Sequence, residues 1–123
     1  MNAKNLVVIA EDDDISYQFL NTVLDKYGIP SVRVKNGVDA IKICLENEDV
    51  KLVLMDIKMP KLDGLKATIK IKAERPDLII IAQTAYALNS EKAEPLREGC
   101  DDYLSKPIEL DALVDVLKKY FDI

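Results

Sequence analysis

The sequence predicts an α/β domain with an open, doubly wound sheet of five parallel strands. Five short runs rich in Val, Ile and Leu recur along the chain, and such runs are typical of strands that are buried on both faces. Segments with apolar residues at helical spacing lie between the runs, so strand and helix alternate throughout. A closed barrel of this kind needs about eight strands, and five strands therefore predict an open sheet.

The strands are predicted to begin near residues 6, 32, 52, 78 and 101. Their apolar runs are Leu6–Ala10, Val32–Val34, Leu52–Met55, Leu78–Ala82 and Tyr103–Leu104. The longest purely apolar runs have five residues, whereas a helix that spans a membrane needs about 20. Because no N-terminal signal pattern is present either, we expect no membrane insertion and a cytoplasmic location.

Five helices are predicted to connect and follow the strands. The first has an apolar face within Ile15–Tyr27, with Asp13 or Asp14 as its N-cap and Gly28 at its C-terminal end. The other apolar faces are Val38, Ile41 and Leu45 in the second helix, Leu65, Thr68 and Ile69 in the third, and Leu110, Leu113, Val114, Leu117 and Phe121 in the fifth. The fourth helix contains Pro95, which predicts a late start or a kink.

Composition narrows the classes of function. With 123 residues and no break in composition, residues 1–123 are predicted to form one domain. The net charge of −5 argues against direct nucleic-acid binding, and Cys44 and Cys100 have no metal or redox spacing. The chain contains no histidine, which excludes a Ser-His-Asp triad, a histidine-ligated metal and a phosphohistidine within it.

Polar side chains follow the predicted strands at one edge of the sheet. Glu11 and Asp12 follow the first strand, Asp56 the third, Thr84 the fourth and Lys106 the fifth. Right-handed crossovers bring the carboxyl ends of all strands to one edge, where crowded carboxylates repel one another unless a cation neutralises them. Oxygen ligands in small number suit Mg²⁺, with Mn²⁺ as an alternative, while solvated loop acids are the other explanation of the same residues.

This set of side chains is suited to phosphoryl transfer. Asp56 can act as a nucleophile that forms an acyl phosphate, while a metal ion and Lys106 offset charge on the phosphoryl oxygens and Thr84 donates a hydrogen bond. The acidic first loop argues against a bound nucleotide or flavin, because folds that bind these ligands have Gly or Ser/Thr around the phosphate at this position. Spacing alone does not distinguish among Mg²⁺-dependent phosphotransfer folds.

Four motifs occur in order along the chain. They are Leu6–Asp13, Leu54–Pro60 followed by Asp63 and Gly64, Thr84–Ala85, and Gly99–Pro107. With these motifs the whole chain resembles the receiver domains of two-component response regulators. The resemblance implies a flavodoxin-like (βα)5 fold with strand order 2-1-3-4-5 and a cis peptide bond before Pro107.

The resemblance also implies roles for the site residues. Asp56 is the implied phosphoacceptor, and Lys106 pairs with the phosphoryl group. Asp12 binds Mg²⁺ directly, Glu11 does so largely through water, and the backbone carbonyl of Lys58 completes the protein ligands.

Further implied roles concern switching and rate. Thr84 and Tyr103 are the implied switch residues, and Lys58 and Tyr86 match positions that tune the rate of dephosphorylation. From the residues alone, Thr84, Tyr103 and Lys106 are also compatible with an ordinary strand end, a core aromatic and a surface lysine.

The leading hypothesis is a signalling module that accepts phosphate from a sensor histidine kinase or a histidine phosphotransfer protein and is not a turnover enzyme. A downstream partner would bind the face formed by the fourth helix, the fifth strand and the fifth helix.

One alternative is a Mg²⁺-dependent aspartyl-phosphate hydrolase; enzymes resembling haloacid dehalogenases carry an Asp where this chain has Lys58. The other alternative is an interaction domain that works without phosphorylation. The chain is expected to be either a stand-alone regulator or the receiver of a longer protein such as a hybrid sensor kinase.

Overall fold

A computed structural model describes residues 5–85 and 99–123. It contains one parallel five-stranded sheet with the order β2-β1-β3-β4-β5, which confirms the predicted fold class. The strands are β1 (Leu6–Ala10), β2 (Ser31–Val34), β3 (Val50–Asp56), β4 (Ile79–Thr84) and β5 (Asp102–Ser105). The helices are α1 (Asp14–Lys26), α2 (Gly37–Glu46), α3 (Gly64–Glu74) and α4 (Leu110–Tyr120). Helix α4 is the fifth helix predicted from the sequence; the predicted fourth helix with Pro95 lies outside the described residues.

Within residues 5–85 and 99–123, two helices cover each face of the sheet. Helices α1 and α4 pack on one face, where Leu24 and Leu117 belong to one buried cluster with strand residues such as Leu54. Helices α2 and α3 cover the other face, where Ala40 and Ile71 belong to the second cluster. Because successive strand residues point to opposite faces, the apolar runs supply both clusters at once. Each fully buried Leu or Ile contributes about 1.5–3 kcal/mol, so the two clusters hold the sheet between its helices.

The predicted apolar faces of α2 and α3 are wrong in part. Val38 and Leu45 of α2 are 50% and 40% exposed, and Ile69 of α3 is 48% exposed. The buried residues are Gly37, Ala40 and Cys44 in α2 and Gly64, Ala67, Thr68 and Ile71 in α3. The two helices therefore direct mostly small residues inward, because they pack closely against each other and against the sheet.

Two glycines permit this close approach. A Cβ atom at Gly37 would collide with the backbone carbonyl of Leu62, and one at Gly64 would collide with the backbone carbonyl of Asp56. The amide of Gly64 also donates a hydrogen bond to the carbonyl oxygen of Ile57 at 2.8 Å. The first turn of α3 is thereby held against the end of β3, which carries one of the candidate site residues.

The ends of α1 follow the predicted signals. The Asp13 carboxylate accepts a hydrogen bond from the amide of Ser16 at 2.8 Å and so caps the helix. Gly28 has a φ of 71°, a left-handed conformation that glycine adopts at little cost after a helix. Ile15 is 78% exposed, in contrast to its predicted place on the apolar face, and the buried face of α1 begins at Leu20.

The Lys106–Pro107 peptide bond is cis, as the resemblance implied. Among the residues that the structure describes, no helix has the length and apolar character to cross a membrane.

Candidate functional site

The predicted site residues meet at the carboxyl edge of the sheet. Asp56 and Thr84 are the last residues of β3 and β4, while Glu11 directly follows β1 and Lys106 directly follows β5. The relative exposures are 0% for Glu11, 4% for Asp56 and 5% for Thr84. Since a buried carboxylate is unfavourable unless it is paired or binds a metal, two buried acids at one edge indicate a functional site.

Three carboxylates at this edge form a group of suitable size for a metal ion. One oxygen from each of Glu11, Asp12 and Asp56 lies within 4.8 Å of the other two. Asp12 is exposed whereas the other two are buried, so the group has one side open to solvent. The ligand atoms are all carboxylate oxygens, which Mg²⁺ prefers, and the residues present therefore fit the ion that the resemblance implies.

Lys106 supplies positive charge to the site. Its Nζ lies 3.0 Å from Oδ1 of Asp56 and 3.5 Å from Oε1 of Glu11. The same Oδ1 accepts a hydrogen bond from the amide of Lys58 at 3.2 Å. Burial by itself lowers the pKa of Lys106, but the hydrogen bond to Asp56 and the charges of Asp56 and Glu11 outweigh burial and raise that pKa. Lys106 therefore stays an ammonium at neutral pH.

One lysine does not fully offset the two buried acids. Burial, and next the charge of Asp56, raise the pKa of Glu11 from 4.5 to about 7, although the amide of Asp13 and the charge of Lys106 act in the opposite direction. The ionised form of Glu11 is thus destabilised where it lies. A cation placed among these oxygens would remove that penalty.

Arg33 organises the acidic loop and was not identified from the sequence. Its Nε donates a hydrogen bond to the backbone carbonyl of Glu11 at 3.0 Å, and its guanidinium lies 2.9 Å from a carboxylate oxygen of Asp14. The guanidinium also lies 4.4 Å from the centre of the Tyr17 ring, a distance at which a cation and an aromatic face attract. The available signal was one charged residue in the otherwise apolar segment Val32–Val34.

The predicted switch residues lie on adjacent strands. Tyr103 of β5 is in register with Ala82 of β4, and Thr84 follows Ala82 by two residues, so Thr84 and Tyr103 share one face of the sheet. Tyr103 is half-buried and packs against the cluster beneath α2 and α3. The Lys58 side chain is exposed, and Tyr86 lies outside the described residues.

Comparison with known proteins gives a consistent family. Residues 7–118 match the response regulator receiver domain. The polar-differentiation response regulator DivK of Brucella anthropi is 30% identical over 116 residues, which cover 93% of this chain and 94% of that protein. The hybrid signal transduction histidine kinase G of Dictyostelium discoideum is 38% identical over 120 residues, which cover 93% of this chain and 3% of that protein.

Solved structures agree in fold. The receiver domain of the sensor histidine kinase PA1611 from Pseudomonas aeruginosa, with a magnesium ion in its active-site cleft, aligns with a TM-score of 0.85 at 28% identity over 95% of this chain and 97% of that one. The receiver domain of Ssk1 from Saccharomyces cerevisiae, solved in complex with the histidine phosphotransfer protein Ypd1, aligns with a TM-score of 0.84 at 30% identity over 95% of this chain and 88% of that one. The acidic edge, its lysine and these matches together show that the chain belongs to the response regulator receiver domain family, the signalling modules of two-component systems.

Proposed function

We propose that Asp56 is the residue on which this receiver domain accepts a phosphoryl group. The observation that carries the proposal is the 3.0 Å contact between Nζ of Lys106 and Oδ1 of Asp56, at an edge where the Asp56 carboxylate is buried beside Glu11. A buried carboxylate in contact with an ammonium group is positioned to act as a nucleophile. Because the chain has no histidine, the phosphohistidine donor belongs to another chain or to another domain.

The transfer joins the phosphohistidine of the donor to side chains at this edge. An oxygen of Asp56 attacks phosphorus as the phosphorus–nitrogen bond of the phosphohistidine breaks, and the electron pair of that bond returns to the imidazole. Lys106 offsets the charge on the phosphoryl oxygens, and the Thr84 hydroxyl donates a hydrogen bond to one of them. The product is an acyl phosphate that stays on the chain, which is the behaviour of a signalling module and not of an enzyme that releases a product.

Mg²⁺, or Mn²⁺ in its place, would be held by Glu11, Asp12 and Asp56 with the backbone carbonyl of Lys58. When bound, the ion supplies positive charge opposite the phosphoryl oxygens. The oxygen-only ligand set, the raised pKa of Glu11 and the magnesium ion in the PA1611 receiver domain support this assignment.

The proposed partners follow from the relatives. A sensor histidine kinase or a histidine phosphotransfer protein is supported by the similarity to hybrid kinase G and by the complex of Ssk1 with Ypd1. The downstream partner is proposed to bind the face formed by the predicted fourth helix, β5 and α4. Three further points remain predictions. They are the single domain over residues 1–123, the cytoplasmic location, and the rate-tuning roles of Lys58 and Tyr86.

The test is direct labelling. The protein is incubated with acetyl phosphate and Mg²⁺, and the added phosphoryl group is located by intact-protein and peptide mass spectrometry. We expect one phosphoryl group on the peptide that contains Asp56. Labelling at another residue would contradict the assignment, and the absence of labelling with any phosphodonor would favour an interaction domain that works without phosphorylation. Steady release of phosphate from phosphate esters of small molecules would instead favour the hydrolase.

A further inference from the structure

Gln83 is a buried carboxamide without a hydrogen-bonding partner beside the proposed phosphoacceptor. Its relative exposure is 0%, and neither Nε2 nor Oε1 forms a hydrogen bond with any residue in the described part of the chain. Gln83 of β4 is in register with Asp56 of β3 and with Leu104 of β5. Register partners on adjacent strands present their side chains on the same face, so the carboxamide and the Asp56 carboxylate are neighbours.

A small cavity connects Gln83 to the site. The cavity has a volume of about 60 Å³ and is lined by Asp56, Gln83, Thr84 and Lys106, together with Ile57, Lys58 and Ala85. Water occupies about 30 Å³ per molecule in the liquid, and a buried water molecule needs two to four polar partners. The volume corresponds to one or two water molecules, and the carboxamide, carboxylate and ammonium groups supply enough partners.

A buried carboxamide that has lost its water without gaining a partner destabilises the folded state, and such groups are rare in native proteins. An apolar side chain would avoid that cost, because Leu104 and the buried cluster beneath α1 and α4 already provide apolar contacts on this face. An uncharged group that both donates and accepts is instead suited to binding water beside charged residues, without competing with Lys106 for Asp56.

We propose that Gln83, Asp56 and Lys106 form a binding site for one or two ordered water molecules, and that Gln83 acts through this water as a positioning residue for Asp56. Water bound to Gln83 donates a hydrogen bond to the carboxylate and limits its rotation, so that the oxygen which attacks phosphorus is presented toward the donor. The water site stands on Gln83 and the cavity alone, whereas the positioning role rests on the proposed function of Asp56.

The test uses variants that separate hydrogen bonding from packing. Gln83→Met keeps an unbranched side chain of similar length but cannot hydrogen-bond through its terminus, and Gln83→Asn keeps a carboxamide. Thr68→Val is the matched control, because Thr68 is equally buried but donates its hydrogen bond to the carbonyl of Gly64 inside α3. Circular dichroism and thermal unfolding establish that each variant is folded before any rate is measured.

Three measurements are then made on the full chain. In the wild type, nuclear Overhauser contacts between the Gln83 side-chain amide protons and water should reveal bound water, and a crystal structure should place its oxygen about 2.7–3.2 Å from the carboxamide. With acetyl phosphate and Mg²⁺, Gln83→Met should be labelled about three- to tenfold more slowly, the effect expected for the loss of one hydrogen bond between uncharged groups. Gln83→Asn should react faster than Gln83→Met, and Thr68→Val should react at the wild-type rate.

Each outcome decides one part of the proposal. A crystal structure or spectra without water at Gln83 would overturn the water site, even if labelling were slowed. Bound water together with wild-type labelling of Gln83→Met would overturn the positioning role, and so would equal slowing by Thr68→Val. A wild type that shows bound water but is never phosphorylated would overturn the proposed function and the positioning role, while supporting the water site.

Discussion

The ammonium of Lys106 lies 3.0 Å from Oδ1 of Asp56, although Asp56 ends β3 and Lys106 follows β5, two strands that are separated by β4 in the sheet. The contact exists because all strands are parallel and end at one edge, so side chains distant in sequence converge there. Lys106 also approaches Glu11 at 3.5 Å and is thereby placed between two buried acids. Several properties of the protein should depend on this one ammonium group.

Lys106→Met should lower the stability of the fold and slow phosphorylation. Without the ammonium, Glu11 and Asp56 are left to repel each other in a buried position. We expect a loss of about 1–2 kcal/mol in the free energy of unfolding without Mg²⁺, because the lysine is partly exposed and solvent screens part of its charge. Urea unfolding measures this loss.

Lys119→Met is the control. Lys119 is exposed and forms an ion pair with Asp102 at 2.7 Å, and the loss of this ion pair should have little effect on stability. Equal losses in the two variants would contradict a special role for Lys106.

Stability should depend on pH through Glu11 when no divalent ion is present. The pKa of Glu11 is raised from 4.5 to about 7 in the fold. Between these values the unfolded chain has released the proton while the folded chain still binds it, so the free energy of unfolding falls as pH rises through this window. A shift of this size corresponds to about 3 kcal/mol. Below the window both states are protonated, and above it the loss is complete.

The pH effect is measured by urea unfolding in EDTA at several values between the two limits. Glu11→Gln places a neutral amide at the same position and should lack this fall, so that the difference between wild type and variant grows with pH. Parallel pH profiles for the two proteins would show that Glu11 does not titrate in this range.

Mg²⁺ should raise the unfolding temperature by binding the folded chain alone. At a concentration one hundred times the dissociation constant the stabilisation is about 2.7 kcal/mol. Asp12→Ala should remove most of the shift, and it should fold normally because Asp12 is exposed. Asp25→Ala, a change of another exposed acid in α1, should keep the full shift. Equal shifts in all three proteins, measured by thermal unfolding, would place the ion elsewhere.

Asp56→Asn should not be labelled by acetyl phosphate but should keep the fold. The amide has nearly the same shape as the carboxylate but is not a nucleophile toward phosphorus, and it removes one charge from a repulsive group. We therefore expect equal or higher thermal stability without Mg²⁺. Intact-protein mass spectrometry and circular dichroism check the two expectations, and undiminished labelling of the variant would reject Asp56 as the acceptor.

The residues that meet at the carboxyl edge of the sheet could be predicted from the sequence, because their positions depend only on the order of strands and helices. Glu11, Asp56, Thr84 and Lys106 each stand at the end of an apolar run, and parallel strands bring such positions together. The bounds of β1 coincide with the predicted run Leu6–Ala10. The bounds of β1 and the residues at the ends of the strands follow from local apolar patterns, which do not depend on how closely the elements pack.

Other features depend on packing distances that a pattern does not contain. The spacing of Val38 and Leu45 suggested a buried face, but α2 lies so near its neighbours that small residues fit there instead. Arg33 and Gln83 occur inside strands, where the pattern favours apolar residues, and their roles appear only when the ends of β1 and β3 are placed beside them.

Thr84→Ala should accept phosphate but transmit less of the change to Tyr103. Phosphorylation adds roughly two negative charges and three acceptor oxygens at Asp56, and the Thr84 hydroxyl is expected to move toward one of these oxygens. Tyr103, which shares a face with Thr84 on the adjacent strand, is expected to turn inward into the space released. A shift of this kind requires that the phosphorylated site favour the inward state, since equal affinity for both states changes nothing.

Beryllofluoride with Mg²⁺, an acyl-phosphate mimic, tests this coupling by NMR. In the wild type, amide signals of Thr84 and Tyr103 should change more than those of α2, which lies away from the proposed output face. In Thr84→Ala the change at Tyr103 should shrink while the change at Asp56, which reports binding of the mimic, persists. If Tyr103 responds equally in the variant, then the phosphoryl group reaches the output face by a route that does not pass through the Thr84 side chain, because the substitution removes both the hydroxyl and the methyl group of that side chain.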